Sequence, residues 1–212
     1  MKIVGRPISG IVNIPASKSD AQRAALIASL CQDKVTLHNY GHSNDEKAML
    51  QNCLQLGCEV HRDEGDVVLQ KNCNSQISTD FNVNESGLGL RLLTSLLAAI
   101  SEKSTINGKG SLLSRDQSFF ENHLPKMGVS VQMNDSKLPI QLQGKLNAGN
   151  YQVDGSQSSQ YISGLLIAFT QIEGKTILEV QNLTSRPYID MTIQTMKMFG
   201  LKVDETNNGV FQ

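Results

Sequence analysis

The chain has 212 residues, 39% hydrophobic and 18% charged, a balance that supports a packed core and excludes a disordered chain. A formal charge of -1 gives no overall attraction to nucleic acid or anionic lipid, so any anion site has to be local. Trp is absent, and the four Tyr and six Phe do not interleave with basic runs, which removes single-strand stacking platforms. In chain order the pattern predicts a strand at SGIVNIP (9–15), a helix over 18–31, a strand at KVTLHNY (34–40), a helix over 44–56 and a hairpin over 58–70. The same series follows as TDFNVNE (79–85), a helix over 88–101, STINGKG (104–110), a helix over 116–127 and a hairpin over 129–144. It comes a third time as GNYQVDGS (149–156), a helix over 158–171, KTILEVQN (175–182), a helix over 188–199 and a hairpin over 201–212.

The expected architecture is therefore α/β (α+β), three repeated β-α-β-α-β-β units of roughly 70 residues each. Their approximate bounds are 11–70, 79–143 and 150–212. Each second helix runs into a glycine, Gly57, Gly128 or Gly200, placed where a left-handed C′ residue turns the chain into a strand. First helices such as LLTSLLAAI and ISGLLIAF are apolar nearly all round and belong inside. The amphipathic second helices belong outside. The four cysteines, Cys31, Cys53, Cys58 and Cys73, form no C-x-x-C pair and the four His are scattered, so no metal site is expected. They read as reduced core residues. MKIVGRPISG lacks the apolar segment of a secretion signal and LLTSLLAAI stops after nine residues, so the expected location is cytoplasmic.

In all three units the join between first strand and first helix is small and polar: PASKSDAQR, NESGLGLR and DGSQSSQY. Pseudo-symmetry brings three helix N-termini together, where free N–H groups and the positive dipole end favour phosphate or carboxylate. The joins add hydroxyls at Ser17, Ser19, Ser86, Ser156, Ser158 and Ser159 and cations at Lys18, Arg23 and Arg91, while Gly87 admits close backbone approach. Taken singly, each serine also reads as an ordinary helix cap, and Arg23 and Arg91 as structural ion pairs. The GKGSLLSRDQSFF segment, with Lys109 and Arg115, reads equally as a solvated loop. In LTSRPYIDM, Pro187 and Asp190 fit a helix start, leaving Ser185, Arg186 and Tyr188 unexplained by capping. No nucleophile–base pair, P-loop or G-x-S-x-G pattern occurs.

Five segments in order resemble the enolpyruvyl transferases, and among them the EPSP synthase family. PASKSDAQR is similar to G-S-K-S-x-x-x-R, ESGLGLR to N-A-G-T-x-x-R, and SRDQSFFENHLPKMG to R-P-x-x-x-L-x-x-L-x-x-x-G. VDGSQSSQY is similar to V-D-G-S-x-S-S-Q-F, and SRPYIDMTIQTMKMFG to S-K-P-Y-I-D-x-T-x-x-x-M-x-x-F-G. The resemblance implies one globule, the N-terminal one, of an inside-out α/β barrel enzyme that moves the enolpyruvyl group of phosphoenolpyruvate to the 5-hydroxyl of shikimate 3-phosphate. It implies Lys18 as a catalytic residue touching both substrates. Ser19, Arg23, Ser158, Ser159, Gln160, Ser185 and Tyr188 would join Lys18 in holding shikimate 3-phosphate. Gly87, Arg115 and Gln160, again with Lys18, would hold phosphoenolpyruvate. No cofactor, metal, nucleic acid or membrane is implied, and the full enzyme is expected to be a monomer. Acid and base carboxylates would come from the other globule, so this chain alone is expected to be inactive. Glu85 and Leu88 depart from the family pattern, and Glu85 would bring negative charge toward an anionic substrate. A UDP-N-acetylglucosamine enolpyruvyl transferase would show Lys-Asn after the first strand and usually a cysteine in the loop that leaves STINGKG; here Lys18 precedes Ser19 and GKGSLLSR has no Cys. A non-catalytic anion-binding module of the same repeat is the remaining alternative.

Overall fold

In the computed structural model, residues 5, 9–12, 14–72 and 74–212 are described. Three sheets surround a helical centre. The first has the order β1-β3-β2, from β1 (Val35–Leu37), β2 (Cys58–Asp63) and β3 (Asp66–Lys71). The second has the order β4-β5-β7-β6, from β4 (Asp80–Asn82), β5 (Lys103–Asn107), β6 (Ser130–Asn134) and β7 (Lys137–Gln143). The third has the order β10-β11-β9-β8, from β8 (Asn150–Asp154), β9 (Ile177–Gln181), β10 (Glu205–Asn207) and β11 (Val210–Phe211). In the second and third sheets the first two strands are parallel, Phe81 opposite Ile106 and Tyr151 opposite Leu178, so a helix crosses over between them.

The crossover helices are α3 (Gly87–Ile100) and α5 (Ser159–Phe169), and α1 (Lys18–Ala28) packs against α3. Along α3 every residue but Arg91 and Ile100 is buried, as the all-round apolar sequence requires. Each buried Leu there contributes about 2 kcal/mol through lost apolar surface. The outer helices α2 (Asn44–Gln55) and α6 (Arg186–Met198) bury one face only, α6 through Ile189, Thr192, Thr195 and Met196. Gly57, Gly128 and Gly200 adopt φ of 87°, 99° and 77°, the left-handed turn expected of them. No helix among the described residues is long and apolar enough to cross a membrane.

Two expectations need correction. No strand forms over 9–12 or 14–15; Ile11 is 98% exposed and Ile14 84%, and β1 has β3 as its one neighbour. An alternating pattern alone does not make a strand; it needs a ladder partner for its backbone groups, and among the described residues none is beside this segment. Asn13 and residues 6–8 lie outside the described residues. The helix expected over 116–127 is split into α4 (Ser118–His123) and a 3-10 turn over Leu124–Met127. Pro125 has no N–H to give and breaks the ladder there. Cys53 and Cys58 are free and buried and Cys31 is half-buried, while Cys73 lies outside the described residues.

Candidate functional site

The N-termini of α1, α3 and α5 meet at one end of the helical centre. Ser17 caps α1, Ser86 caps α3 by accepting from the Gly89 N–H at 3.0 Å, and Ser158 caps α5 by accepting from the Gln160 N–H at 3.2 Å. Gln22, fully buried, ties two of these starts together: its Oε1 accepts from Ser86 Oγ at 2.7 Å while its Nε2 donates to the Lys18 carbonyl at 3.2 Å. A close crossing of α3 and α5 sets the third. Gly164 leaves so little room that a Cβ there would lie 2.6 Å from the Arg91 carbonyl oxygen.

Between these ends opens a cleft of about 200 Å³ lined by Ser19, Arg23, Leu88, Ser158, Ser159, Gln160, Ser185 and Tyr188. One water needs only roughly 10–15 Å³ by the same kind of measure, so the cleft admits a small polar molecule. Seven of these eight are site residues expected from sequence; Leu88 is the eighth and forms an apolar wall. Among the lining residues there is no carboxylate and no imidazole.

Arg23 dominates the electrostatics. Its side chain is 1% exposed. Nε donates to Thr192 Oγ1 at 2.7 Å and Nη1 to the Ser19 carbonyl at 2.8 Å. Nη2 donates to Ser163 Oγ and the Tyr188 carbonyl, both at 3.3 Å. All four acceptors are neutral, and Arg23 forms no ion pair among the described residues. Burial pushes its pKa down to about 10, partly opposed by Asp20, so the guanidinium stays charged at neutral pH. A buried cation held by neutral groups is costly unless an anion completes it. The structural ion pair considered for Arg23 is therefore absent.

Arg91 makes no ion pair among the described residues either. Nη1 donates to the Gly87 carbonyl at 3.1 Å and to Gln160 Oε1 at 2.9 Å, and the guanidinium lies 4.8 Å from the centre of the Tyr161 ring. With its carbonyl engaged, Gln160 has its amide N–H groups left to donate. Arg115 reaches the same corner: a Cβ on Gly87 would sit 3.0 Å from Arg115 Nη1 and 3.1 Å from Arg91 Nη1. Only glycine fits between the two guanidinium groups without displacing one.

Ser185 has φ 52°, unusual for a residue with a Cβ, and its hydroxyl caps nothing. Such strain is retained where surrounding structure holds it and clusters at functional sites. Tyr188 lines the cleft but is 49% exposed. Lys18 is not brought into the lining; its Nζ pairs with Asp45 Oδ2 at 2.8 Å at the start of α2. Ser156 bonds to Asp154 at 2.7 Å, forming a local turn outside the lining.

Arg186 is pinned by Asp190 at 2.7 Å and by both carboxylate oxygens of Glu205 at 2.7 and 2.6 Å. These bonds, Glu205 first, raise its pKa further and hold Glu205 below the usual carboxylate range. Arg186 thus fastens α6 to the β10–β11 hairpin and is absent from the cleft. Because the folded pKa of Glu205 is depressed, its contribution is complete above the unfolded value near 4.5 and is lost as pH falls through the folded value. Arg186→Met is expected to cost less than about 1 kcal/mol at neutral pH, since the pair is partly exposed, and less in acid. Denaturant titrations at neutral and acid pH check this, with ligand binding unaltered.

Sequence reasoning missed Gln22, Asp45, Ser163 and Thr192. The available signal was a polar residue inside an otherwise apolar helix face, as with Ser163 in ISGLLIAF.

The fold is that of an enolpyruvyl transferase globule. EPSP synthase from Acinetobacter baumannii superposes with a TM-score of 0.82 at 22% identity, over 95% of this chain and 46% of that one. The enolpyruvyl transferase NikO from Streptomyces tendae gives 0.71 at 13% identity, over 98% and 48%. The sequence then narrows the class: the chain belongs to the EPSP synthase (3-phosphoshikimate 1-carboxyvinyltransferase) family, whose profile matches residues 4–211. It is 30% identical to the 3-phosphoshikimate 1-carboxyvinyltransferase of Clostridium novyi over 98% of its length, and 31% identical to that of Nitrosopumilus maritimus over 95%. The chain spans about half the length of these relatives, 50% and 48%.

Proposed function

We propose that this chain forms the shikimate 3-phosphate side, and part of the phosphoenolpyruvate side, of an enolpyruvyl transferase whose other globule completes the site. The observation that carries the reading is Arg23, a buried guanidinium with four neutral partners and no carboxylate, at the floor of a cleft edged by helix N-termini. A phosphate entering there gains the fixed charge of Arg23, whose guanidinium is already oriented before it arrives, and the hydroxyls of Ser158, Ser159 and Ser185. Gln160, aimed by Arg91, faces both substrates, and Arg115 beside Gly87 takes the carboxylate or phosphate of phosphoenolpyruvate. Lys18 serves both substrates once released from Asp45. Addition of the 5-hydroxyl to the enol carbon and loss of phosphate need a proton donor and acceptor. The cleft lining has no carboxylate or imidazole, so that work falls to groups outside it.

Phosphate release from shikimate 3-phosphate plus phosphoenolpyruvate is the test, run on the full-length protein carrying this chain and on the 212-residue chain alone. Turnover is expected in the first and none in the second. Failure of the full-length protein to turn over this pair, or turnover of UDP-N-acetylglucosamine in its place, overturns the assignment.

A further inference from the structure

We propose that Glu85 is a positioning residue for the phosphoenolpyruvate side of the site, a clamp on the turn that presents Arg115, and this rests on the function just proposed. The parallel strands β4 and β5 end side by side, with Asn82 opposite Asn107. From them leave two neighbouring loops, one to the start of α3 and one to a 3-10 turn over Gly110–Ser114. The loops are stitched twice through backbone, Val83 N–H to the Asn107 carbonyl at 3.0 Å and Lys109 N–H to the Asn84 carbonyl at 2.7 Å. The third stitch is Glu85, whose Oε1 accepts from the Ser111 N–H at 3.2 Å.

That bond does for the turn what its own sequence does not. Lys109, which precedes the turn, supplies no side-chain cap, so the carboxylate of Glu85 satisfies a free N–H from across the gap. Gly110 is left-handed at φ 56°, and a Cβ there would collide with the Glu85 carboxylate, so the glycine is what lets the clamp close. Ser111 is held by Glu85 at its amide, and its hydroxyl in turn accepts from Arg115 Nη2 at 3.3 Å. Arg115 Nη1 then lies over Gly87 at the start of α3. Glu85, Ser111, Arg115 and Gly87 thus form one continuous chain of contacts. The carboxylate expected from sequence to repel an anionic substrate is occupied by a backbone donor, and it makes no ion pair among the described residues.

The clamp and the repulsion predict opposite results in the full-length protein. For Glu85→Ala, the KM for phosphoenolpyruvate rises about tenfold, because a misplaced binding group costs rate and affinity steeply. The KM for shikimate 3-phosphate stays within about twofold. Glu85→Gln keeps an acceptor at Oε1 and stays within about threefold of the parent in both. Gly110→Ala, which closes the space the carboxylate uses, reproduces Glu85→Ala. Hydrogen exchange across 109–115 is faster in Glu85→Ala and Gly110→Ala, a readout that does not depend on turnover. If the full-length protein fails to turn over the two substrates, the proposed function falls, and the exchange result alone decides the clamp. A phosphoenolpyruvate KM more than about threefold below the parent value in Glu85→Gln overturns the proposal, as does unchanged exchange in Glu85→Ala, or a parallel rise in both KM values in Glu85→Ala.

Discussion

Replacing Arg23 with Met is expected to weaken shikimate 3-phosphate binding at least a hundredfold, about 3 kcal/mol, while leaving the chain folded. The two halves of this result have separate causes. Charge-assisted bonds to a phosphate are strong, and among the described residues no other cation lines this cleft. Stability has a different cause, because among the described residues the buried guanidinium is paired with no carboxylate that its removal would leave stranded. Removing it abolishes a desolvation cost, and Thr192 Oγ1 and Ser163 Oγ, already 2.7 Å apart, keep each other as partners. The melting temperature should move by no more than about 4 °C. Arg23→Lys does not restore binding, since one ammonium cannot replace three nitrogens bonded in three directions. Calorimetric titration beside thermal unfolding checks both parts; a variant that unfolds, or that binds as before, contradicts them.

The second large effect is on the frame that holds the loops. Helix propensity alone makes Gly164→Ala favourable by about 1 kcal/mol. Packing says the reverse. The new Cβ would lie 2.6 Å from the Arg91 carbonyl oxygen and 2.6 Å from Ser95 Oγ, and the first of these is backbone that cannot swing aside. Separating α3 from α5 costs about 2 kcal/mol for Ala and roughly 3 kcal/mol for Leu, so packing outweighs propensity. With the propensity gain set against it the net loss is about 1 kcal/mol, and thermal unfolding should show a fall of about 2–4 °C for Gly164→Ala. Arg91 reaches Gln160 across this same crossing, so ligand affinity falls with stability. An increase in melting temperature would show that the helices do not approach as described.

Local chemistry made much of the fold readable. The capping glycines, the apolar inner helices and the polar joins are each set by residues within a few positions, and each appears in the structure. Contacts between distant positions were not readable. Arg23 looks like any helix cation until Thr192, 169 residues on, and Ser163, 140 residues on, are seen to hold it. Lys18 reads as a free active-site cation because Asp45 is 27 positions away. The strand expected over 9–15 does not form over 9–12 or 14–15 for the same reason, since periodicity says nothing of whether a ladder partner stands beside them among the described residues. Arg186 is the instructive case: Asp190 stands four residues on, visible on the same helix face, yet Glu205 arrives only through the final hairpin. The cleft residues Ser158, Ser159, Gln160 and Ser185 were found through the motifs that carry the family resemblance, and their gathering around Arg23 is what three equivalent helix starts produce.

Docking of shikimate 3-phosphate on Arg23, among the three helix starts, is what the proposed function requires of this chain. Its most direct measurement is a backbone amide NMR titration of this chain with shikimate 3-phosphate, with unphosphorylated shikimate beside it. Saturable shifts confined to residues 19–23, 158–160 and 185–188 are expected for the phosphate ester, with shikimate at least about tenfold weaker. Shifts centred elsewhere, equal responses to both ligands, or no response at millimolar concentration would contradict it.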